Sequence, residues 1–179
     1  MMQTRLAHVL RGALLTGLYC VGAAVAVLFL RTPADVTLFW PAAGIGFAVV
    51  LRFGLGYVLI IPLALLAVQL LLSPVPAGFL PFWLASNTLA TLVAAWYVRN
   101  RMASNRIQLR TADGLLLLRG GLLLGAISAC IGTFGLLRAG MEQWQEAASI
   151  AVQWALGDLL GVASVFLSRW DSLVDKLLD

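Results

Sequence analysis

The sequence is a series of long apolar runs separated by short polar connections. Six runs approach the roughly 20 residues that an α-helix needs to cross a bilayer at about 1.5 Å per residue. They cover residues 12–30, 36–51, 55–72, 81–98, 114–137 and 147–168. The pattern predicts an all-α, polytopic membrane bundle of six transmembrane helices, formed by a single domain of residues 1–168.

The second run is short and has an unusual beginning. Trp40 and Pro41 open it, and proline suits the first turn of a helix while tryptophan suits the level of the lipid headgroups. We therefore expect a tilted or half-buried helix with an irregular start. Residues 52–54 form a tight turn after this run, residues 73–78 are rich in helix breakers, and residues 100–113 form a long basic loop.

Composition supports the same class of protein. The 179 residues are 61% hydrophobic and 11% charged, with a mean hydropathy of +0.96. This leaves too few polar side chains to cover a soluble globule, so we expect the lipid bilayer to surround the protein.

The distribution of the 12 basic residues predicts the orientation, because Lys and Arg near the ends of spans tend to stay in the cytoplasm. Only Arg31 and Arg138 fall on the outer side of a six-span arrangement. Both termini are then cytoplasmic, as in a multi-pass membrane protein with an even number of spans. The basic residues lie at span ends without interleaved aromatic residues, which argues against nucleic-acid binding. The predicted inner set is Arg5, Arg11, Arg52, Arg99, Arg101, Arg106, Arg110, Arg119, Arg169 and Lys176.

Asp158 is the most expensive residue to bury, because it lies near the middle of the sixth run. An acid at the centre of a membrane helix costs about 2.5 to 3.5 kcal/mol on insertion scales. Something must offset that cost, and a structural role and a functional role are both open. The sequence offers as partners water in a cavity, a bound cation, or one of Asn87, Ser86, Ser128, Arg52 and Arg119.

Polar residues are concentrated in the outer half of the predicted bundle. Counted at about 1.5 Å per residue, Asn87 and Gln153 lie roughly 9 Å below the outer surface, Gln69 is shallower, and Asp158 is near 16 Å. With Trp40, Trp83 and Trp154, these residues are candidates to line a pocket that opens away from the cytoplasm and detects a small ligand or a proton. Alternatively, the amides bond across helices for packing and the tryptophans are interface anchors.

Enzyme chemistry is not indicated. His8 is the only histidine, and neither Cys20 nor Cys130 has a partner at the spacing of a metal site. A single intramembrane aspartate does not make an aspartyl dyad. We therefore predict no catalytic residues, no metal site and no cofactor.

Three short stretches carry a resemblance to a known family. They enter the second run, lie within the fourth and lie within the sixth, and they read Phe39-Trp40-Pro41-Ala42-Ala43-Gly44, Ser86-Asn87-Thr88-Leu89 and Gly157-Asp158-Leu159-Leu160-Gly161-Val162. In order and spacing the chain resembles the first class of bacterial membrane-associated sensor domains, MASE1, over residues 12–168. The resemblance implies an input module joined to a cytoplasmic diguanylate cyclase, phosphodiesterase or histidine kinase.

The chain departs from that family in two respects. Many members carry an acid where this chain has Ala90, which leaves Asp158 without a second carboxylate. Members also often have further spans, whereas this chain has six.

Residues 169–179 are predicted to begin a cytoplasmic signalling helix. Trp170, Leu173 and Leu177 recur at helical spacing with acidic residues between them, as in a connector to an output domain or a dimer partner. The alternative is an amphipathic cap on the inner leaflet, but its acidic balance disfavours anionic lipid.

Three functions remain open from the sequence. The first is a sensor that binds an unknown small ligand or a proton and signals through the sixth helix to an output domain in cis or in trans, either alone or as a homodimer. The second is a solute-binding subunit of a transporter, similar to the substrate-capture components of vitamin importers. The third is a structural or assembly protein without a ligand.

Overall fold

A computed structural model describes residues 2–30, 37–72, 74–102 and 111–167. The described residues form six α-helices and two short 3-10 helices, and no β-strand occurs within these ranges. The α-helices are α1 (Met2–Phe29), α2 (Pro41–Phe53), α3 (Ile60–Leu71), α4 (Leu80–Arg99), α5 (Thr111–Arg138) and α6 (Ala147–Leu167). The 3-10 helices are Leu55–Leu59, directly before α3, and Trp144–Glu146, directly before α6. Each of the six predicted runs overlaps one α-helix, which confirms the all-α class for this part of the chain.

Three of the helical segments are long and apolar enough to cross a membrane: His8–Phe29, Gly114–Arg138 and Trp144–Leu167. Pro41–Phe53 and Leu55–Leu71 are shorter apolar helices. Helix α4 has 20 residues but is less apolar, because Ser86, Asn87 and Thr91 lie within it. Large apolar side chains also cover the outside of the bundle, on α1, α3, α5 and α6. Such a surface is typical of a protein whose solvent is lipid.

Helix α2 is the centre of the bundle. All ten residues from Ala42 to Leu51 are buried. Helices α1, α4 and α6 contact α2 directly, while α3 packs on α1 and α4, and α5 packs on α4 and α6. A helix that is apolar on every side is stable only when other helices surround it. The short second run is therefore the buried core of the fold.

The N-terminus of α2 lies at the middle depth of α6. The Trp40 backbone N–H donates to the Gly157 carbonyl at 3.0 Å, and Gly157 is eleven residues into α6. A side chain at Gly161 would overlap the Trp40 carbonyl, and one at Gly44 would overlap the Gly161 carbonyl. The two glycines of α6 thus let residues 37–40, which we name the approach segment, run alongside that helix. The predicted irregular start is present, but the helix begins at Pro41 rather than at residue 36.

One end of the bundle, which we name the basic end, carries most of the described arginines. The guanidinium groups of Arg11 and Arg52 lie 5.4 and 5.5 Å from the centre of the Phe53 ring. Arg99 donates from Nη1 to the Leu51 carbonyl at 2.7 Å. That carbonyl lies in the last turn of α2, where a cation is favourable. The tight turn after α2 uses Gly54 at a φ of 111°, a backbone conformation that favours glycine.

The predicted connector, with Trp170, Leu173 and Leu177, lies outside the described residues, and so does most of the basic loop at 103–110.

The connections between α3 and α4 and between α5 and α6 lie at the end opposite to the basic end. Because alternate helices run in opposite directions, the approach segment enters from that opposite end as well.

Candidate functional site

A cavity of about 230 Å³ opens at the end of the bundle opposite to the basic end. Its walls come from α1, the approach segment, the connection before α4, helices α4 and α5, the connection after α5, and α6. The lining is aromatic and apolar with three polar side chains, and it comprises Val27, Thr37, Trp40, Pro74, Val75, Pro76, Phe79, Trp83, Asn87, Leu136, Met141, Trp154 and Asp158. An apolar pocket with a few convergent polar groups is the usual form of a small-molecule site.

Asn87 is the centre of a hydrogen-bond network that joins α1, α4 and the approach segment. Its Oδ1 accepts from Trp40 Nε1 at 2.9 Å and from the Tyr19 hydroxyl at 3.4 Å. Its Nδ2 donates to the Trp83 carbonyl at 2.9 Å and to the Ser86 hydroxyl at 3.3 Å. Because both ends of the amide are occupied and the side chain is 5% exposed, the network fixes the orientation of the Trp40 indole.

A second hydrogen-bonded group joins α5 and α6 at the cavity. Trp154 Nε1 donates to the Ser128 hydroxyl at 2.8 Å, and that hydroxyl also hydrogen-bonds the Asp158 side chain. Trp154 and Asp158 are four residues apart in α6, so they share a face of the helix. Ser128 is fully buried in α5, and it holds both cavity-lining side chains of α6.

Asp158 has an oxygen without a partner. The residue is 1% exposed, and its Oδ2 atom is buried with no hydrogen bond. Of the partners suggested by the sequence, Ser128 contacts the carboxyl group, and none of the described residues that line the cavity is an Arg, Lys or His. A buried polar atom without a partner is costly, and Asp158 is one of the residues that line the cavity, so its carboxyl group is the part of the site best suited to meet a ligand.

Four of the six candidate ligand-binding residues line the cavity: Trp40, Asn87, Trp154 and Asp158. Gln69 does not line it but supports its rim, because its amide accepts from the Val75 backbone N–H at 2.8 Å and donates to the Val75 carbonyl at 3.2 Å. Val75 belongs to the connection that lines the opening.

Gln153 is not part of the cavity. Its amide donates to the Ser149 hydroxyl at 3.0 Å on the exposed side of α6. The sequence spacing indicates this separation. Gln153 precedes Asp158 by five residues, so the two side chains point about 140° apart around the axis of an α-helix. The predicted depth groups Gln153 with Asn87 because it takes no account of how each helix is rotated about its axis.

Sequence reasoning missed Tyr19, Ser128 as the link to Trp154, and the lining residues Phe79 and Met141. Tyr19 was detectable as a polar side chain inside the first apolar run, and it is 1% exposed. Phe79 and Met141 lie in connections between helices, where an apolar pattern does not indicate which way a side chain points.

No three His, Cys, Asp or Glu side chains lie together in a way that could hold a metal ion, as far as the described ranges extend. No protein-family model, curated protein or solved structure matches this chain.

Proposed function

We propose that the chain is a sensory input module of a bacterial inner membrane, related to the MASE1 domains. In this proposal it crosses the bilayer six times with both ends in the cytoplasm. It detects a small ligand or a proton in its outer half, and it signals through the sixth helix to a cytoplasmic output domain of the diguanylate cyclase, phosphodiesterase or histidine kinase type.

The observation that carries the proposal is the meeting of the three family-like stretches at one cavity. The Trp40 indole bonds Asn87 at 2.9 Å, and the Trp40 backbone bonds Gly157 beside Asp158 at 3.0 Å. The stretches are separated by about 45 and 70 positions in the sequence. Helix packing accounts for the glycines, whereas the convergence of Trp40, Asn87 and Asp158 on one cavity supports a shared site.

The charge distribution supports the proposed orientation. Arg52 and Arg99 lie in the last turns of α2 and α4 at the basic end, and Arg101 follows α4. At the opposite end, Arg138 is followed by Glu142 and Glu146. Under the positive-inside rule the basic end faces the cytoplasm, so the cavity faces outward.

The position of Asp158 supports a role for α6 in signalling. The same helix carries the cavity acid, contacts the start of α2 through Gly157 and Gly161, and leads toward residues 168–179. A ligand or a proton at Asp158 would favour one packing of α6 against α2 over another, and a rigid helix transmits such a shift along its length.

Disulfide crosslinking of helix six tests this proposal. Leu173→Cys and Leu177→Cys are introduced separately into a background with Cys20→Ala and Cys130→Ala, and the protein is reconstituted in vesicles. Stepwise acidification of the outer side, or addition of a library of small metabolites there, should change the rate of crosslinking between copies. The Asp158→Asn variant should not respond.

Crosslinking that is the same under every condition would contradict the signalling step.

The cavity is also compatible with the transporter subunit as a second function. That function predicts tight stoichiometric binding of one metabolite and its uptake in the presence of an ATPase partner, with no change at residues 173 and 177.

A further inference from the structure

The cavity has the electrostatic character of a cation site. Asp158 is its single acidic side chain, and the described lining residues include no basic group. The Oδ2 atom of Asp158 is buried without a hydrogen bond. An anionic ligand would place two negative charges together in a medium of low dielectric constant, which is strongly unfavourable. A cation would instead compensate the carboxylate.

The walls suit an organic cation better than a metal ion. Metal ions of the hard type need several oxygen ligands, and the described part of the chain offers no cluster of acidic or imidazole side chains. Four aromatic rings line the cavity instead, from Trp40, Phe79, Trp83 and Trp154. The faces of such rings attract ammonium groups, and tryptophan attracts them most strongly.

The aromatic rings are held in fixed positions. Trp40 is anchored to Asn87 at 2.9 Å and Trp154 to Ser128 at 2.8 Å, and the Phe79 ring meets the Trp154 ring edge to face at a centroid distance of 6.3 Å. Because the indole N–H groups of Trp40 and Trp154 are already bonded to the protein, these two rings offer a ligand aromatic surface rather than a hydrogen-bond donor. A fixed aromatic wall loses little entropy when a ligand binds.

We propose that the cavity binds a compact organic monocation with an ammonium group, which pairs with the Asp158 carboxylate and rests against the Trp40, Trp83 and Trp154 rings. The inference rests on the proposed function, since it names the ligand class of the same site. The volume of about 230 Å³ limits the ligand to an ammonium group with small substituents.

Calorimetry on the purified full chain in lipid nanodiscs tests the inference, with tetramethylammonium and choline as probes. A third probe is the uncharged isostere of choline, in which carbon replaces the ammonium nitrogen. We expect both cations to bind and the isostere to bind at least about tenfold more weakly, because it lacks the charge that the carboxylate and the rings attract. This comparison needs no variant protein.

Two pairs of variants locate the binding. Asp158→Asn should weaken choline binding at least about tenfold, whereas Glu146→Gln, which removes an exposed acid outside the cavity, should leave it unchanged. Trp83→Leu should weaken it about threefold or more, whereas Trp144→Leu, on an exposed side chain, should not. Thermal unfolding of each variant without ligand reports whether it is folded.

Equal binding of choline and its isostere would overturn the inference in favour of a neutral apolar ligand. Undiminished choline binding by folded Asp158→Asn, or no saturable binding of either cation at millimolar concentration, would also overturn it. Failure of the sensor proposal looks different, because ammonium binding would persist while crosslinking at residues 173 and 177 stayed constant. Conversely, a response of helix six to acid or another solute without ammonium binding would contradict the proposed ligand class and leave the sensor proposal standing.

Discussion

At the scale of single residues, Asn87 decides the geometry of the site. Its amide satisfies donors from α1 and the approach segment and bonds the backbone of α4. Asn87→Leu keeps an apolar side chain of similar size but leaves the Trp40 indole N–H and the Tyr19 hydroxyl buried without this acceptor. We expect the free energy of unfolding to fall by about 1 to 3 kcal/mol, the cost of unsatisfied buried donors. Denaturation in mixed micelles, followed by circular dichroism, measures it.

Gln153→Leu is the matched control, since it changes an amide at similar depth that bonds only Ser149 on the exposed side of α6 in the described structure. Its effect should stay within about 0.5 kcal/mol, as for most surface substitutions. Equal losses for the two variants would mean that the Asn87 network contributes nothing beyond an ordinary interhelical contact.

At the scale of elements, the junction of α2 and α6 depends on one glycine in each helix, Gly44 in α2 and Gly161 in α6. Gly161→Ala would place a methyl group against the Trp40 carbonyl, so one of the two backbones must shift. We expect a loss of about 1 to 3 kcal/mol in unfolding free energy, as for other overpacked contacts. The indole of Trp40 should also shift, which the emission maximum of tryptophan fluorescence detects.

Gly17→Ala in α1 provides the comparison, because a methyl group there meets nothing within 4 Å. Alanine is the better helix former by about 0.5 to 1 kcal/mol, so this variant should be as stable as the parent or slightly more so. A Gly161→Ala protein as stable as Gly17→Ala would show that α2 does not need the close approach to α6.

At the scale of the whole molecule, the proposed topology predicts which connections face outward. Single cysteines at Ala77 and Glu146 should react with a membrane-impermeant maleimide in intact cells, whereas one at Asn100 should react only after the membrane is opened. All three replace exposed residues in a background without Cys20 and Cys130. The physical reason is that arginines at the basic end resist translocation.

Labelling of Asn100→Cys in intact cells would reverse the orientation and place the cavity on the cytoplasmic side. Labelling of Ala77→Cys but not Glu146→Cys would instead reduce the number of crossings. Lysed cells control for the intrinsic reactivity of each cysteine.

The sequence by itself determined the all-helical, membrane-like class of this protein and predicted the depth of its polar residues. Long apolar runs can only be helices in lipid, because each backbone polar group must be bonded within its own segment. A rise of about 1.5 Å per residue then predicts the depth of Asn87 and Asp158. The short second run, with proline at its start, likewise indicated an irregular beginning, and Pro41 is the first residue of α2.

Only the tertiary structure decided which residues face one another. In water, alternation of apolar and polar residues shows which face of a helix is buried, but in lipid both faces are apolar and that contrast is lost. The meeting of Trp40 with Asn87, and of the approach segment with Gly157, therefore required the packed bundle, since it depends on the rotation of each helix about its own axis.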